Sequence, residues 1–336
     1  MKAPDNDTIK GYIEATPLGE VQRMIGSKAI DWGDDACLDT KAYIMACLSE
    51  IAYLCVPGYA LKNRDRYLIV PSRALAALNG DDASFGLAEI GCYLLGIGLR
   101  LWARPGLEAT GLVNAGIAHL GNYVFVVFYL PDFTVIVVRG TAPVLNDVLI
   151  DVDERMLVVK GHGYHAGFYQ ESMKALPDLL ATVTSDKLPL YFTGHSLGGA
   201  VAGILPQIWT GTQTVMTPYT FASPRFCNEK AADPVSHPVY AYVQTRDPVP
   251  HVPLESSGFR SAGWPPRMIP PSEEWLSGID LVGLRLSAHS IEGYRMLLGD
   301  EIHSPHFAPL VYFEELKRRL TKDDLEGMRN EIRWRP

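Results

Sequence analysis

The sequence predicts an α/β protein: a mostly parallel central sheet flanked by helices, with an additional helical N-terminal region. Three observations carry this. Short apolar runs rich in Val, Ile, Tyr and Phe alternate with segments of helical spacing between about residues 119 and 300. One of them, Phe133 to Val138 (FTVIVV), is apolar throughout, as suits a strand covered on both faces. Several runs stop abruptly in Arg139-Gly140-Thr141, Ser223-Pro224-Arg225 or Thr245-Arg246-Asp247, at the strand ends where open α/β sheets carry functional groups. With 336 residues, 47% hydrophobic and 20% charged, the chain has ample material for one core. It reads as a single domain over 1–336: a helical part at 1–118, an α/β core at 119–300 and a helical C-terminal segment at 301–336.

Taken in order, Ile44, Leu48, Ile51 and Cys55 recur at helical spacing between Asp39 and Cys55, and Pro57-Gly58 stops the run. This predicts an amphipathic helix packed on the core. Residues 60–118 are Leu- and Ala-rich pieces punctuated by glycines, with Asn79-Gly80-Asp81-Asp82 as a turn. Strands follow at Asn122 to Leu130 and Phe133 to Val138, joined by the turn Pro131-Asp132, and further strands at Pro218 to Ala222 and Val239 to Gln244. Helices fall at about Gly167 to Ala181 and Leu197 to Leu205, the second ended or kinked by Pro206. The segment from Phe307 to Pro336 is charged and helical, with Thr321 and Asp324 spaced like a capping box.

The sharpest feature is Gly194-His195-Ser196-Leu197-Gly198 between a β-rich run and a small-residue helix. Read blandly, it is a glycine-rich turn with an incidental serine. The setting points further: Leu188, Leu190, Tyr191 and Phe192 suit a buried strand before it, and a tight strand-to-helix turn needs small residues two positions either side of the serine. Such a turn exposes the Ser196 hydroxyl and leaves the Leu197 amide at a helix N-terminus, where it can receive a developing oxyanion.

A serine hydroxyl needs a histidine base, and the histidine needs a carboxylate to fix its tautomer and stabilise the imidazolium. In folds with this elbow the order is Ser, then acid, then His. Asp247 directly follows the strand VYAYVQ and sits in the stiff run Asp247-Pro248-Val249-Pro250; Asp233 precedes that strand and Asp280 follows none. Beyond Asp247 lie His251, His289, His303 and His306. His251 is too near Asp247 for both to bend back onto one serine, and His303 and His306 flank Pro305 in a surface-like turn. His289, in a loop that enters the helix from Ser290 to Leu298, is preferred.

The chain resembles the class 3 lipase family, the fungal lipase-like α/β-hydrolases. Matching pieces stand in family order: Val138-Arg139-Gly140-Thr141, Tyr164-His165-Ala166-Gly167-Phe168-Tyr169, the elbow, Phe221-Ala222-Ser223-Pro224-Arg225, Asp247-Pro248-Val249-Pro250, and His289 with Tyr294 beyond it. The resemblance implies an α/β-hydrolase fold, a triad of Ser196, Asp247 and His289, and an oxyanion hole in which Thr141 acts beside the Leu197 amide. Cys227 departs from it, standing where a glycine commonly follows Pro-Arg.

The implied activity is hydrolysis of lipid carboxylic esters through an acyl-enzyme, with no metal or cofactor. Phospholipase A1 or acyltransferase chemistry on the same triad is the alternative, and an inactive scaffold that binds a partner is the reading from another class. The partner is a lipid or other acyl ester, met at a lipid–water interface. A cover over the serine is expected either at Ala142 to Val159 or at Gly258 to Leu286, where Phe259, Trp264, Trp275 and paired prolines suit an apolar rim as well as they suit a packing insert.

The formal charge of -8 argues against nucleic acid or an anionic membrane as an electrostatic partner. The five cysteines include no C-x-x-C pair and lie mostly in apolar runs, so free thiols in a reducing compartment are expected. The first residues lack the apolar stretch of a secretory leader, which makes the cytoplasm the expected address, with export by a leaderless route as the other. No run is long enough to span a bilayer, and oligomeric state is not legible.

Overall fold

The computed structural model describes residues 21, 24–25, 29–36, 38–52, 118–120, 123–130, 132–140, 155–183, 187–263, 266–270 and 288–302. The expectations for residues 60–117, for Thr141 and most of the 142–159 segment, for 271–287 and for 303–336 lie outside these.

Among the described residues the central sheet has seven strands: β1 (Ala118–Leu120), β2 (Tyr123–Tyr129), β3 (Thr134–Arg139), β6 (Leu190–His195), β7 (Tyr219–Phe221), β8 (Tyr240–Gln244) and β9 (Arg267–Ile269), adjacent in that order. β1, β2 and β3 pair antiparallel, and from β3 to β9 every pairing is parallel. The β2–β3 hairpin closes where Leu130 N–H donates to Phe133 O at 2.9 Å. A separate antiparallel hairpin, β4 (Met156–Val159) and β5 (His162–His165), leads directly into the helix Ala166–Thr182. This is an α/β-hydrolase architecture, a mostly parallel sheet covered by helices on both faces.

Alternation along the buried strands divides the core in two. Val135, Val137, Tyr191, Tyr219 and Phe221 pack with α1 (Asp39–Ala52) and α4 (Ile291–Glu301). Ile136, Val138, Leu190 and Phe192 pack with α2 (Ala166–Thr182) and α3 (Leu197–Ile208). The period of two in each strand is what sends successive residues to opposite layers.

Some elements differ from expectation. α1 is buried almost all round rather than amphipathic, because sheet, α4 and the 29–36 segment surround it: Lys41 is fully buried, its ammonium 5.9 Å from the centre of the Trp32 ring and donating to Asp34 O. α3 does not end at Pro206 but continues to Ile208, and α2 likewise runs through Pro177. Pro206 stands two residues before the helix end, and the ladder bond that its missing N–H removes is the one to the Ala202 carbonyl. Phe259 is fully buried, 5.7 Å from the His165 ring centroid, so it is core and not cleft rim. The first part of the 258–286 segment supplies edge strand β9.

Candidate active site

Ser196 sits between β6 and α3 with φ 58° and ψ −134°, a conformation that L-residues adopt at a cost of order 1–3 kcal/mol. The turn is held from outside: Ser196 N–H donates to Phe221 O at 2.9 Å, and Gly199 N–H to Ser196 O at 2.8 Å. The glycines on either side are required by close approach. A Cβ at Gly198 would lie 2.1 Å from Val138 O, and one at Gly194 would lie 2.5 Å from Gly198 O. Gly140 is pressed against the same turn, where a Cβ would lie 3.0 Å from His195 O and 3.4 Å from Leu197 N. Leu197 opens α3, so its amide faces the first-turn end of the helix, beside the residue that precedes Thr141.

The three side chains singled out from sequence converge. His289 Nε2 is 2.9 Å from Ser196 Oγ, and its Nδ1 is 2.9 Å from Asp247 Oδ2 and 3.0 Å from Oδ1. Asp247 and Ser196 come from the carboxyl ends of the parallel strands β8 and β6, while His289 stands just before α4, whose N-cap Ser290 accepts from Gly293 N–H at 3.0 Å. Asp247 is wholly buried, and Ser196 and His289 are nearly so. With Nδ1 donating to the carboxylate, Nε2 is left to accept from the serine hydroxyl.

Asp247 is held in turn by two further donors. Val249 N–H reaches Oδ1 at 2.9 Å, and the Tyr294 hydroxyl reaches Oδ2 at 2.9 Å while itself accepting from Gln244 N–H at 2.9 Å. Burial, with the Asp247 charge beside it, raises the Tyr294 pKa well above 10, so the phenol keeps its proton and donates. Sequence reasoning noted Tyr294 only as a residue of the helix beyond His289 and missed this contact. The loop after the acid is braced by Arg225, whose guanidinium donates to His251 O at 2.6 Å, to Pro253 O at 3.0 Å and to Glu255 Oε1 at 2.9 Å.

Of the competing candidates, the two among the described residues lie apart. His251 is exposed in a short 3₁₀ turn, and Asp233 accepts from the Ser236 hydroxyl and Val235 N–H in a surface turn. Cys227 is buried and its thiol is pushed up to about 12 by desolvation, which makes it a poor thiolate. No described helix is long and apolar enough to cross a membrane.

The sequence profile described as Lipase (class 3) matches residues 135–257, a stretch that contains Ser196 and Asp247 and stops before His289. A secreted mono- and diacylglycerol lipase of Fusarium solani is 30% identical over 129 residues, covering 36% of this chain and 36% of that protein. The chain therefore spans about a third of that relative's length. Among solved structures, a Rhizomucor miehei lipase–propeptide complex superposes with a TM-score of 0.47 at 19% identity over 70% of this chain and 67% of that one. A mono- and diacylglycerol lipase from Aspergillus oryzae gives 0.45 at 16% identity over 68% and 78%. One expectation is corrected here. The cytoplasmic address was drawn from the lack of an apolar leader, but the matching Fusarium relative is a secreted protein, so the composition of the first residues does not decide where this one acts.

Proposed function

Because the chain carries the class 3 lipase sequence over residues 135–257, we propose that it is a serine hydrolase of lipid carboxylic esters, acting through an acyl-enzyme on Ser196. The observation that carries the reading is the unbroken relay Asp247–His289–Ser196, with contacts of 2.9 Å at both links. His289 takes the hydroxyl proton as Ser196 Oγ attacks the ester carbonyl, and Asp247 stabilises the imidazolium. The Leu197 amide, joined by Thr141, receives the oxyanion. His289 then returns the proton to the departing alcohol, and water, deprotonated by the same histidine, releases the fatty acid.

The substrate class follows the relative's name: mono- and diacylglycerols, hydrolysed outside the cell. Ser196→Ala is expected to abolish turnover of a p-nitrophenyl ester, a loss of about 10⁴-fold or more, while the far-UV circular dichroism stays that of the wild type. It should also abolish covalent labelling by a fluorophosphonate. Labelling that persists in the variant overturns the assignment. Fatty-acid release from mono-, di- and triacylglycerol and from phospholipid, measured side by side, checks the substrate class, and a preference for phospholipid would contradict it.

A further inference from the structure

The alternation of β6 turns Tyr191, Thr193 and His195 toward the α1 and α4 layer: Tyr191 packs there, the Thr193 hydroxyl is 3.3 Å from that of Ser49 on α1, and His195 meets the residues around the start of α4. His195 is 4% exposed. Its Nε2 is 2.6 Å from the backbone carbonyl oxygen of His289, and its ring lies 4.8 Å from the His289 ring and 6.2 Å from that of Tyr294, centroid to centroid. A carbonyl only accepts, so Nε2 of His195 carries a proton and donates.

We propose that His195 is a positioning residue, whose Nε2–H fastens the backbone of the base to the strand that presents the nucleophile. The proposal rests on the triad reading above. Ser196 and His289 are 93 residues apart, yet the residue directly before the one holds the main chain of the other, so this short link bears directly on the separation of Oγ from the base's Nε2. Burial first, and the neighbouring His289 second, hold His195 well below the ordinary histidine value of 6.5, against its backbone hydrogen bond. It is therefore neutral at neutral pH. A cation so close would oppose the imidazolium that must form on His289 at each proton transfer, whereas a neutral donor fixes geometry without that cost.

The test compares three replacements in the full chain. His195→Phe keeps a ring and loses the donor. His195→Asn keeps an amide that is one methylene too short to reach the carbonyl. His195→Gln carries its amide nitrogen about as far from Cβ as the imidazole Nε2. On a p-nitrophenyl ester, kcat is expected to fall about 10- to 100-fold in the Phe and Asn variants with KM little changed, and to recover most of that in Gln, because only geometry at the reacting atoms is lost. Wild-type kcat in Phe or Asn overturns the proposal, as does a Gln variant as slow as the other two. If Phe fails to fold, Asn carries the comparison. The downfield proton resonance of His289 Nδ1–H, bonded to Asp247, is read in parallel: kept in Gln, broadened or lost in Phe and Asn. This separates the two claims, because a wild type that resists fluorophosphonate labelling ends the triad reading, while a resonance unchanged in all three variants ends the positioning role.

Discussion

Ser196 carries backbone strain. At φ 58° the residue is in a conformation that glycine reaches without clash, and the elbow holds it there because Phe221 and Gly199 fix both of its backbone groups. Ser196→Gly is therefore expected to raise stability by about 1 kcal/mol, since relief of strain outweighs glycine's larger loss of chain entropy, while removing turnover. Thermal melting against esterase rate checks both halves, and a destabilised variant would show that the turn is not strained. Tyr294 makes the opposite case. Tyr294→Phe leaves Asp247 Oδ2 and Gln244 N–H short of a buried partner, so a loss of about 1–3 kcal/mol is expected, with a lower kcat as the carboxylate is freed to shift. Unchanged melting would mean that water replaces the phenol.

At the level of elements, the site depends on three pieces brought to one place by the sheet. The β3 end, the elbow and the start of α3 are packed backbone against backbone, which is why Gly198→Ala should cost about 3 kcal/mol and strongly reduce turnover: its Cβ would meet carbonyl and amide atoms rather than a yielding side chain. Wild-type melting in that variant would show that α3 can slide away from β3. The start of α4 is anchored to α1 by the ion pair of Arg295 with Glu50, the arginine side chain 4% and the glutamate 24% exposed. Burial raises the Glu50 pKa although Arg295 opposes that shift, so the pair is held against a desolvation penalty. Removing one partner is the costly change. Glu50→Ala is expected to destabilise by about 2–3 kcal/mol, somewhat below a fully buried pair, and Glu50→Ala with Arg295→Met to regain much of it. Chemical denaturation of the single and double variants gives the coupling directly; additive losses would mean that the pair does not act as one unit.

For the whole molecule, acid should weaken the fold before the ordinary carboxylate range is reached. His195 and His237 both have pKa values below 6.5, each chiefly through burial. The unfolded chain binds protons at these groups as pH drops below 6.5 and the folded chain does not, so stability is full above that value and declines as pH falls toward the folded-state values. Melting temperature is expected to be level from pH 7 to 8 and to fall below about pH 6.5, less steeply in His237→Gln. A profile flat to pH 5 would show that these histidines accept protons in place.

The parts legible in the sequence were those that local pattern encodes: alternating apolar runs for strands, the glycine-flanked serine for the elbow, and a carboxylate straight after an apolar strand. The sheet order, the burial of Phe259 and the all-round burial of α1 were not legible, because periodicity says that a face is covered and not by what. Composition also misdirected the expected address, since it describes the chain's first residues and not the route the protein takes.

By itself, the sequence determined an α/β chain with a nucleophile-like turn and an ordered set of candidate partners, because each of these is written within a few neighbouring residues. Only the tertiary structure decided how closely His289 meets Ser196, that Tyr294 donates to Asp247, and that His195 reaches the backbone of His289. Those contacts join residues from separate strand and helix ends, and their distances arise from how the sheet stacks its layers, which no stretch of chain records alone.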